Sequence, residues 1–198
     1  MAGEGKITAP PQVAQFTITY VANGNTANDA INSEKTMRKQ LIDTLSNLYG
    51  VNPADIQESY PRVVPPSATN NTVNLLYQAV NTLNVNYKKL QTLDSAIAKL
   101  YEVGGNNISV TNIVFTTQNP RDLEDQAIAN AIKDGEGRAL KMAAATGKTL
   151  GKLVSVTGQQ TQTVGTVSTQ ANPLSNRNVS TPGKIELTRT VTLVYELK

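Results

Sequence analysis

The stretch AQFTITY at residues 14–20 decides the fold, because apolar and polar side chains alternate along it. This period of two is typical of a β-strand with one face turned to water. Asn23-Gly24-Asn25 ends the strand, and Thr26 is a suitable N-cap for a helix. Apolar residues then recur at helical spacing over residues 27–48. The sequence therefore predicts a strand that leads directly into an amphipathic helix.

Further elements follow from the same two periodicities. They are a short edge strand within 55–64, a polar loop at 67–72, a long strand at 73–85, a helix at 88–103, a strand at 107–117, a helix at 120–146, a short strand at 153–157 and a closing strand at 185–197. The order β-α-β-β-α-β-α-β-β predicts an α+β fold, a largely antiparallel sheet with helices packed on one face. Its first six elements have the split β-α-β order of ferredoxin-like folds.

The domain organisation predicted from the sequence is simple. Residues 1–11, which end in Pro10-Pro11, are expected to form an extended lead-in. Residues 12–198 are expected to form one domain, a size that buries a substantial core. Residues 158–183 show no clear periodicity and are expected to form a long polar loop.

The composition restricts the chemistry that the chain can perform. Among its 198 residues there is no Cys, His or Trp, which excludes disulfides, thiolate nucleophiles, Cys/His zinc sites and histidine-based catalysis. Charged residues are only 17%, with a net charge of +3. Asn (20), Thr (24) and Gln (12) replace them, which favours an extracytoplasmic surface.

The sequence also bears on localisation. There is no run of 18 or more apolar residues, so no membrane-spanning segment is expected. The segment MAGEGK at residues 1–6 has no apolar core, so no signal peptide is predicted in this chain. If the protein is exported, its leader is expected to have been removed.

Five segments, in order and at compatible spacing, resemble the SIMPL-domain (DUF541) family. They are Gly3–Pro11, Gly50–Gln57, Gly104–Phe115, the Ala-rich helix running into Leu153, and Thr181–Tyr195 with its Pro-Gly and closing strand. Gln12 departs from the family, whose members commonly place Asp there. The resemblance implies export to the periplasm or cell surface and no established enzymatic activity. For the characterised periplasmic immunogenic members it implies ring-like or channel-like homo-oligomers.

Two glycine-containing segments suggest nucleotide binding, but the spacing does not support it. The segment TGKT at 146–149 lacks the earlier glycine of a phosphate-binding loop, since that position is Met142. It also follows a helix instead of a strand, so Gly147 is interpreted as a helix C-cap. Gly135 and Gly137 lack the third glycine of a dinucleotide fingerprint. In a helix they predict a bend or a close packing contact.

Clusters of charged residues are likewise interpreted as structural features and not as functional sites. Asp122, Glu124 and Asp125 occupy the first turn of a predicted helix, where carboxylates interact favourably with the helix dipole. Asp55 and Glu58 would need a shared cleft to act as acid and base. The basic residues Lys35, Arg38, Lys39, Lys88 and Lys89 lack interleaved aromatics and have acids nearby, so nucleic acid is not an expected partner. No catalytic, cofactor or metal residue is assigned.

Self-assembly is the favoured function, because an open antiparallel sheet exposes backbone groups that must be covered or paired. Tyr20, Tyr77, Tyr87 and Tyr195 are assigned to the core or to a subunit contact. Arg189 falls on the apolar phase of the closing strand, so it must be paired or lie at an edge. The segments expected to pair with another copy of the chain are represented by Pro10, Pro11, Arg189, Val191, Leu193 and Tyr195. The alternative that these segments fold back on their own domain stays open.

The predicted function is therefore that of a non-enzymatic, exported subunit of a ring, channel or filament of identical chains. The alternative is a monomeric or dimeric extracytoplasmic binding module for a small ligand or an envelope partner. A hydrolase comes third, since only Lys and carboxylates could supply its base.

Overall fold

The computed structural model describes residues 1–69, 72–159 and 183–198. The elements in chain order are β1 (Ala2–Ala9), β2 (Val13–Gly24), α1 (Ala27–Asp43), β3 (Ile56–Glu58), β4 (Arg62–Val64), β5 (Ser67–Thr69), β6 (Thr72–Asn74), β7 (Tyr77–Tyr87), α2 (Leu93–Gly104), β8 (Ile108–Thr116), α3 (Pro120–Ala145), β9 (Leu150–Gln159) and β10 (Ile185–Leu197). The predicted α+β class with antiparallel strands is confirmed.

Internal contacts divide the described residues into two units. We call residues 12–115 the ferredoxin-like unit. We call residues 1–11, 116–159 and 183–198 the three-stranded unit. The single domain expected over residues 12–198 stays a prediction. The long polar loop expected at 158–183 lies almost wholly outside the described residues.

The ferredoxin-like unit follows the predicted split order. Its sheet has the strand order β3-β7-β2-β8, with β4 also beside β7. Strands β2 and β7 pair antiparallel from Ala14↔Tyr87 to Gly24↔Tyr77. The apolar face of this sheet packs with α1 and α2 in one core, whose fully buried members include Ile18, Tyr20, Leu41, Leu83, Tyr87 and Leu100.

Helix α1 begins where the sequence predicts. Thr26 accepts a hydrogen bond from the Asp29 amide, and the Asp29 carboxylate accepts one from the Thr26 amide. This capping box satisfies two of the amides that a helix start leaves unpaired. The final turn, Thr44–Leu48, widens to a π-helix before Gly50 with its positive φ.

The region between α1 and β7 differs from the predicted single edge strand and loop. Two short strands, β3 and β4, replace the strand expected at 55–64, because Pro61 has no amide hydrogen for the ladder. Strands β5 and β6 pair with each other in a hairpin across the expected polar loop. Strand β7 starts only at Tyr77, and Leu75 is 79% exposed instead of buried.

The three-stranded unit has the strand order β1-β10-β9. Residues 2–9, which belong to the expected extended lead-in, form a strand that pairs antiparallel with β10 from Ala2↔Thr192 to Ala9↔Ile185. The lead-in is thus extended, as predicted, but it folds back on its own chain.

Strand β1 packs on α3 through positions without side chains. A Cβ added to Gly5 would lie 1.9 Å from the carbonyl oxygen of Ala127, and one added to Gly3 would lie 2.1 Å from that of Ala131. Across the contact, α3 presents a row of small buried residues at every fourth position: Ala127, Ala131, Gly135, Ala139 and Ala143. The close packing predicted at Gly135 is confirmed, since its added Cβ would lie 2.8 Å from Leu193 Cδ1.

Helix α3 ends at a glycine, as predicted. Gly147 has φ 68°, its amide donates to Ala144, and the Lys148 amide donates to Ala143. These two hydrogen bonds define a Schellman cap. The TGKT segment is therefore a helix terminus and not a phosphate-binding loop.

The close contact between Gly5 and α3 can be tested through its effect on stability. Gly5→Ala forces β1 and α3 apart, so it should lower the free energy of unfolding by about 1–3 kcal/mol. Gly137→Ala is the matched control, because its Cβ would meet nothing within 4 Å. In a helix interior that change should raise stability by up to about 1 kcal/mol. Urea unfolding measures both, and a Gly5→Ala protein as stable as the parent would contradict the close contact.

Candidate functional site

The closing strand β10 is an inner strand of its sheet. In an antiparallel sheet, each residue of an inner strand directs its N–H and C=O groups to one neighbouring strand, and the next residue directs them to the other. Arg189 and Val191 lie opposite Gly5 and Gly3 of β1, and the Leu193 amide donates to the Met1 carbonyl at 2.7 Å. The backbone groups of these three residues are therefore bonded within the chain. The open edge expected at Arg189, Val191 and Leu193 is not present.

Arg189 is paired, which was one of the two alternatives for a charge on the apolar phase. Its Nη2 donates to Oε1 of Glu124 at 2.7 Å, and its side chain is 12% exposed. Glu124 is on the first turns of α3, so the ion pair joins the start of that helix to β10. Val191 and Leu193 are buried against Ala131, and Tyr195 packs beside them, partly exposed.

Pro10 and Pro11 directly follow β1. Pro10 is exposed and Pro11 is partly buried, and neither belongs to a strand. Their part in self-association stays a prediction.

The outer edge of β1 is partly covered by side chains of α3. The Glu4 amide donates to Asp134 Oδ2 at 2.9 Å, and the Asn130 side chain donates to the Lys6 carbonyl at 3.4 Å. The hydrogen bond from Glu4 lowers the pKa of the Asp134 carboxyl, with smaller contributions from Arg138 and Lys141. Helix side chains thus occupy hydrogen-bonding groups that a foreign strand would otherwise use.

The outer edge of β9 differs in this respect. Thr192 and Val194 of β10 lie opposite Thr157 and Ser155. Since Leu193 bonds toward β1, these pairs carry the hydrogen bonds between β10 and β9. The backbone groups of Val156 therefore point away from β10. Within the described residues, no strand lies beyond β9.

Apolar side chains accompany this outer edge. Leu153 is 46% exposed, Val156 is 49% exposed and Val154, at a shift in register, is 61% exposed. Helical spacing places Leu140 on the flank of α3 opposite Asn130 and Asp134, and Leu140 is 51% exposed. We call Leu140, Leu153, Val154 and Val156 the β9 patch.

The acidic residues considered for catalysis are engaged in ion pairs. Asp55 binds Lys88 at 2.7 Å, and Glu58 binds Arg38 at 2.9 Å. The predicted basic cluster is thus partly neutralised by these acids. Over the described ranges, no three acidic side chains are grouped to hold a metal ion. In the same part of the chain, no helix has the length and apolar character needed to span a membrane.

The ferredoxin-like unit contains one buried carboxylate. Glu34 is 1% exposed and accepts hydrogen bonds from the Tyr20 hydroxyl and the Asn81 amide, both at 2.8 Å. Burial, together with the hydrogen bond to Glu34, raises the pKa of Tyr20 strongly. The phenol stays protonated and the carboxylate holds two strands and a helix together, so this cluster is structural.

A known family matches almost the whole chain. The family model SIMPL, described as a protein of unknown function (DUF541), matches residues 1–195. The chain belongs to the SIMPL family. The predicted resemblance is thereby confirmed.

Two curated relatives of this SIMPL chain carry the same name. Each is a "26 kDa periplasmic immunogenic protein", one from Brucella abortus (strain S19) and one from Brucella melitensis biotype 1. Both are 23% identical over 163 residues, which is 79% of this chain. The aligned part spans 64% of the length of each relative.

Sequence reasoning missed the β9 patch. The sequence predicts a strand at 153–157, whereas the strand extends over Leu150–Gln159 and is an edge among the described strands. The available signal was the run Leu153-Val154, which departs from alternation and marks a bulge. Nothing in the sequence indicated that Asp134 would cover the edge of β1.

The buried carboxylate of this SIMPL chain can be tested by mutation. Glu34→Leu leaves the Tyr20 hydroxyl and the Asn81 amide without an acceptor. We expect a loss of roughly 2–5 kcal/mol in the free energy of unfolding. Glu102→Ala, which breaks the exposed pair with Lys99, should cost under about 1 kcal/mol. Urea unfolding checks both, and equal effects would show that Glu34 is not a structural centre.

The edge-covering carboxylate predicts a pH dependence. Since the folded-state pKa of Asp134 is lowered, its contribution to stability is present above the unfolded pKa. That contribution disappears as pH falls through the lowered folded-state pKa. The difference in urea midpoint between the parent and Asp134→Ala should therefore shrink on acidification. A difference that stays constant from neutral pH into the acid range would contradict the hydrogen bond to Glu4.

Proposed function

We propose that this SIMPL protein is a non-enzymatic, extracytoplasmic subunit that associates with further copies of itself through the outer edge of β9. The observation that carries the proposal is the combination of outward backbone groups and apolar side chains on one edge strand. An exposed apolar edge of this kind is a template for pairing with another chain.

A second copy of the chain is the occupant that fits this edge. An antiparallel pair of β9 strands related by a two-fold axis would be self-complementary, so one surface would serve both subunits. Each subunit would bring its own β9 patch to the contact and bury it. The only charged side chain on β9 is Lys152. Little charge would therefore be desolvated by the association.

The proposed edge differs from the one expected from sequence alone. The sequence alone favours pairing at Pro10, Pro11, Arg189, Val191, Leu193 and Tyr195. Strand β1 and Met1 already bond Arg189, Val191 and Leu193, and α3 covers part of the outer edge of β1. We therefore place the proposed association at the outer edge of β9.

The remaining parts of the proposal have separate support. A location outside the cytoplasm is supported by the periplasmic name of the relatives and by the excess of uncharged polar residues. A non-enzymatic role is supported by the absence of His and Cys from the sequence, and by the ion pairs that occupy Asp55 and Glu58. The alternative, a monomeric or dimeric binding module, is supported by a depression lined by polar side chains of the ferredoxin-like unit.

The mass of the protein in solution tests the proposal. We expect light scattering after size exclusion to give a multiple of 21.2 kDa for the parent chain. Val156→Pro should reduce this mass to that of the monomer. Proline removes an outward amide hydrogen that no described strand uses, and proline is tolerated at such edge positions.

A matched control separates the edge from general surface hydrophobicity. Val194→Lys changes a valine that is 47% exposed, close to the value for Val156, but its backbone is bonded to β9. The control should keep the mass of the parent. A parent chain of about 21 kDa at micromolar concentration contradicts self-association, and loss of mass in both variants contradicts the edge as its site.

A further inference from the structure

The face of the ferredoxin-like sheet that is turned away from its core carries a depression of about 340 Å³. Its polar lining consists of carboxamide and hydroxyl side chains from four neighbouring strands: Gln15, Thr17, Gln57, Asn84, Asn86 and Asn112. We call these six residues the amide groove. Three apolar side chains complete the lining: Phe16 and Val85 are 2% exposed, and Val114 is partly exposed.

The register of β2 and β7 builds the groove. Gln15 lies opposite Asn86 and Thr17 lies opposite Asn84, all on the face turned away from the core. The Gln15 amide donates to Asn86 Oδ1 and the Thr17 hydroxyl donates to Asn84 Oδ1, each at 3.0 Å. These bonds fix the orientation of the four side chains.

The fixed side chains keep unused hydrogen-bonding capacity. A carboxamide has two N–H donors and two acceptor lone pairs, and each pair above uses one donor and one acceptor. Asn86 and Asn84 therefore retain Nδ2 donors, and Gln15 retains its Oε1 acceptor. Unused donors and acceptors therefore lie on the paired strands β2 and β7.

Asn112 joins the groove through an unusual backbone conformation. It has φ 55°, the only positive φ of a residue other than glycine in the described part of the chain. Regular alternation from Ile108 and Val110 would turn residue 112 toward the core. The local irregularity instead exposes Asn112 and returns Ile113 and Phe115 to the core. Such irregularities re-aim side chains next to binding sites.

The chemistry of the lining restricts the ligand. None of the described residues that line the depression is charged, so none of them would offset the desolvation of a phosphate, a carboxylate or an ammonium group. Among the described lining residues, Val114 is the one apolar side chain with appreciable exposure, whereas recognition of an extended peptide needs apolar pockets for its alternate side chains. A sugar hydroxyl both donates and accepts, as a carboxamide does, and carries no charge.

We propose that the amide groove binds a short uncharged oligosaccharide. The proposal is independent of self-association, because it uses the ferredoxin-like unit and leaves β9 untouched. The volume lies at the lower end of the range for small-molecule sites. One or two sugar rings would therefore make the contacts, and the affinity is weak.

The test is a titration followed by the side-chain amide resonances of the ¹⁵N-labelled full chain. The probes are triacetylchitotriose, cellotriose and maltotriose, with inorganic phosphate and an acetylated, amidated trialanine for comparison. We expect at least one sugar to give saturable shifts at Gln15, Asn84 and Asn86. Phosphate and the peptide should give none.

Two double variants locate the site. Gln15→Ala with Asn86→Ala removes one hydrogen-bonded pair of the groove and should weaken sugar binding by about tenfold or more. Asn23→Ala with Gln78→Ala removes a pair of the same chemistry on the same face, bonded at 3.3 Å but outside the groove. That control should bind like the parent.

Several results would overturn the proposal. One is the absence of saturable shifts with all three sugars, and another is binding of phosphate or the peptide in their place. Sugar binding that both double variants weaken equally, or that neither weakens, would also overturn it.

Discussion

The pairing of β1 with β10 is the interaction on which the three-stranded unit depends. It joins residues almost two hundred positions apart and turns the closing strand into an inner strand. The pairing is possible because Gly3 and Gly5 let β1 lie directly on the backbone of α3. Any side chain at these positions would separate strand and helix, and the outer edge of β1 would lose the cover of Asp134.

Because β10 is an inner strand, β1 and β9 form the two edges of the described sheet. Backbone groups at a sheet edge must be bonded to protein or to water. At β1, an acidic and an amide side chain from α3 supply part of this bonding. At β9, the outward groups of Val156 lie beside Leu153 and Val154 instead. The asymmetry makes β9 the margin at which an added strand would bury apolar surface.

Much of the fold could be predicted from the sequence, because the signals that define single strands and helices lie within those elements. Alternation in β2 and helical spacing in α1 report burial within one element, and Thr26 and Gly147 mark helix ends by their own hydrogen bonds. The role of residues 2–9 could not be read in this way. Alternation of Gly, Glu and Lys does not distinguish a paired strand from a free extended segment, since the partner strand is remote in sequence. The same limit applied to the site, because the presence of Arg189 on an apolar phase indicated pairing but not the partner Glu124. The amide groove depends on the cross-strand register, which polar alternation alone leaves open.

Hydrogen exchange at the amides of Val156 and Gly158 tests the central claim most directly, because these groups point away from β10. If a second copy pairs there, we expect both amides to exchange slowly at concentrations where the protein is associated, and faster on dilution. Rapid exchange at every concentration, as for an edge that faces water, would contradict association through β9.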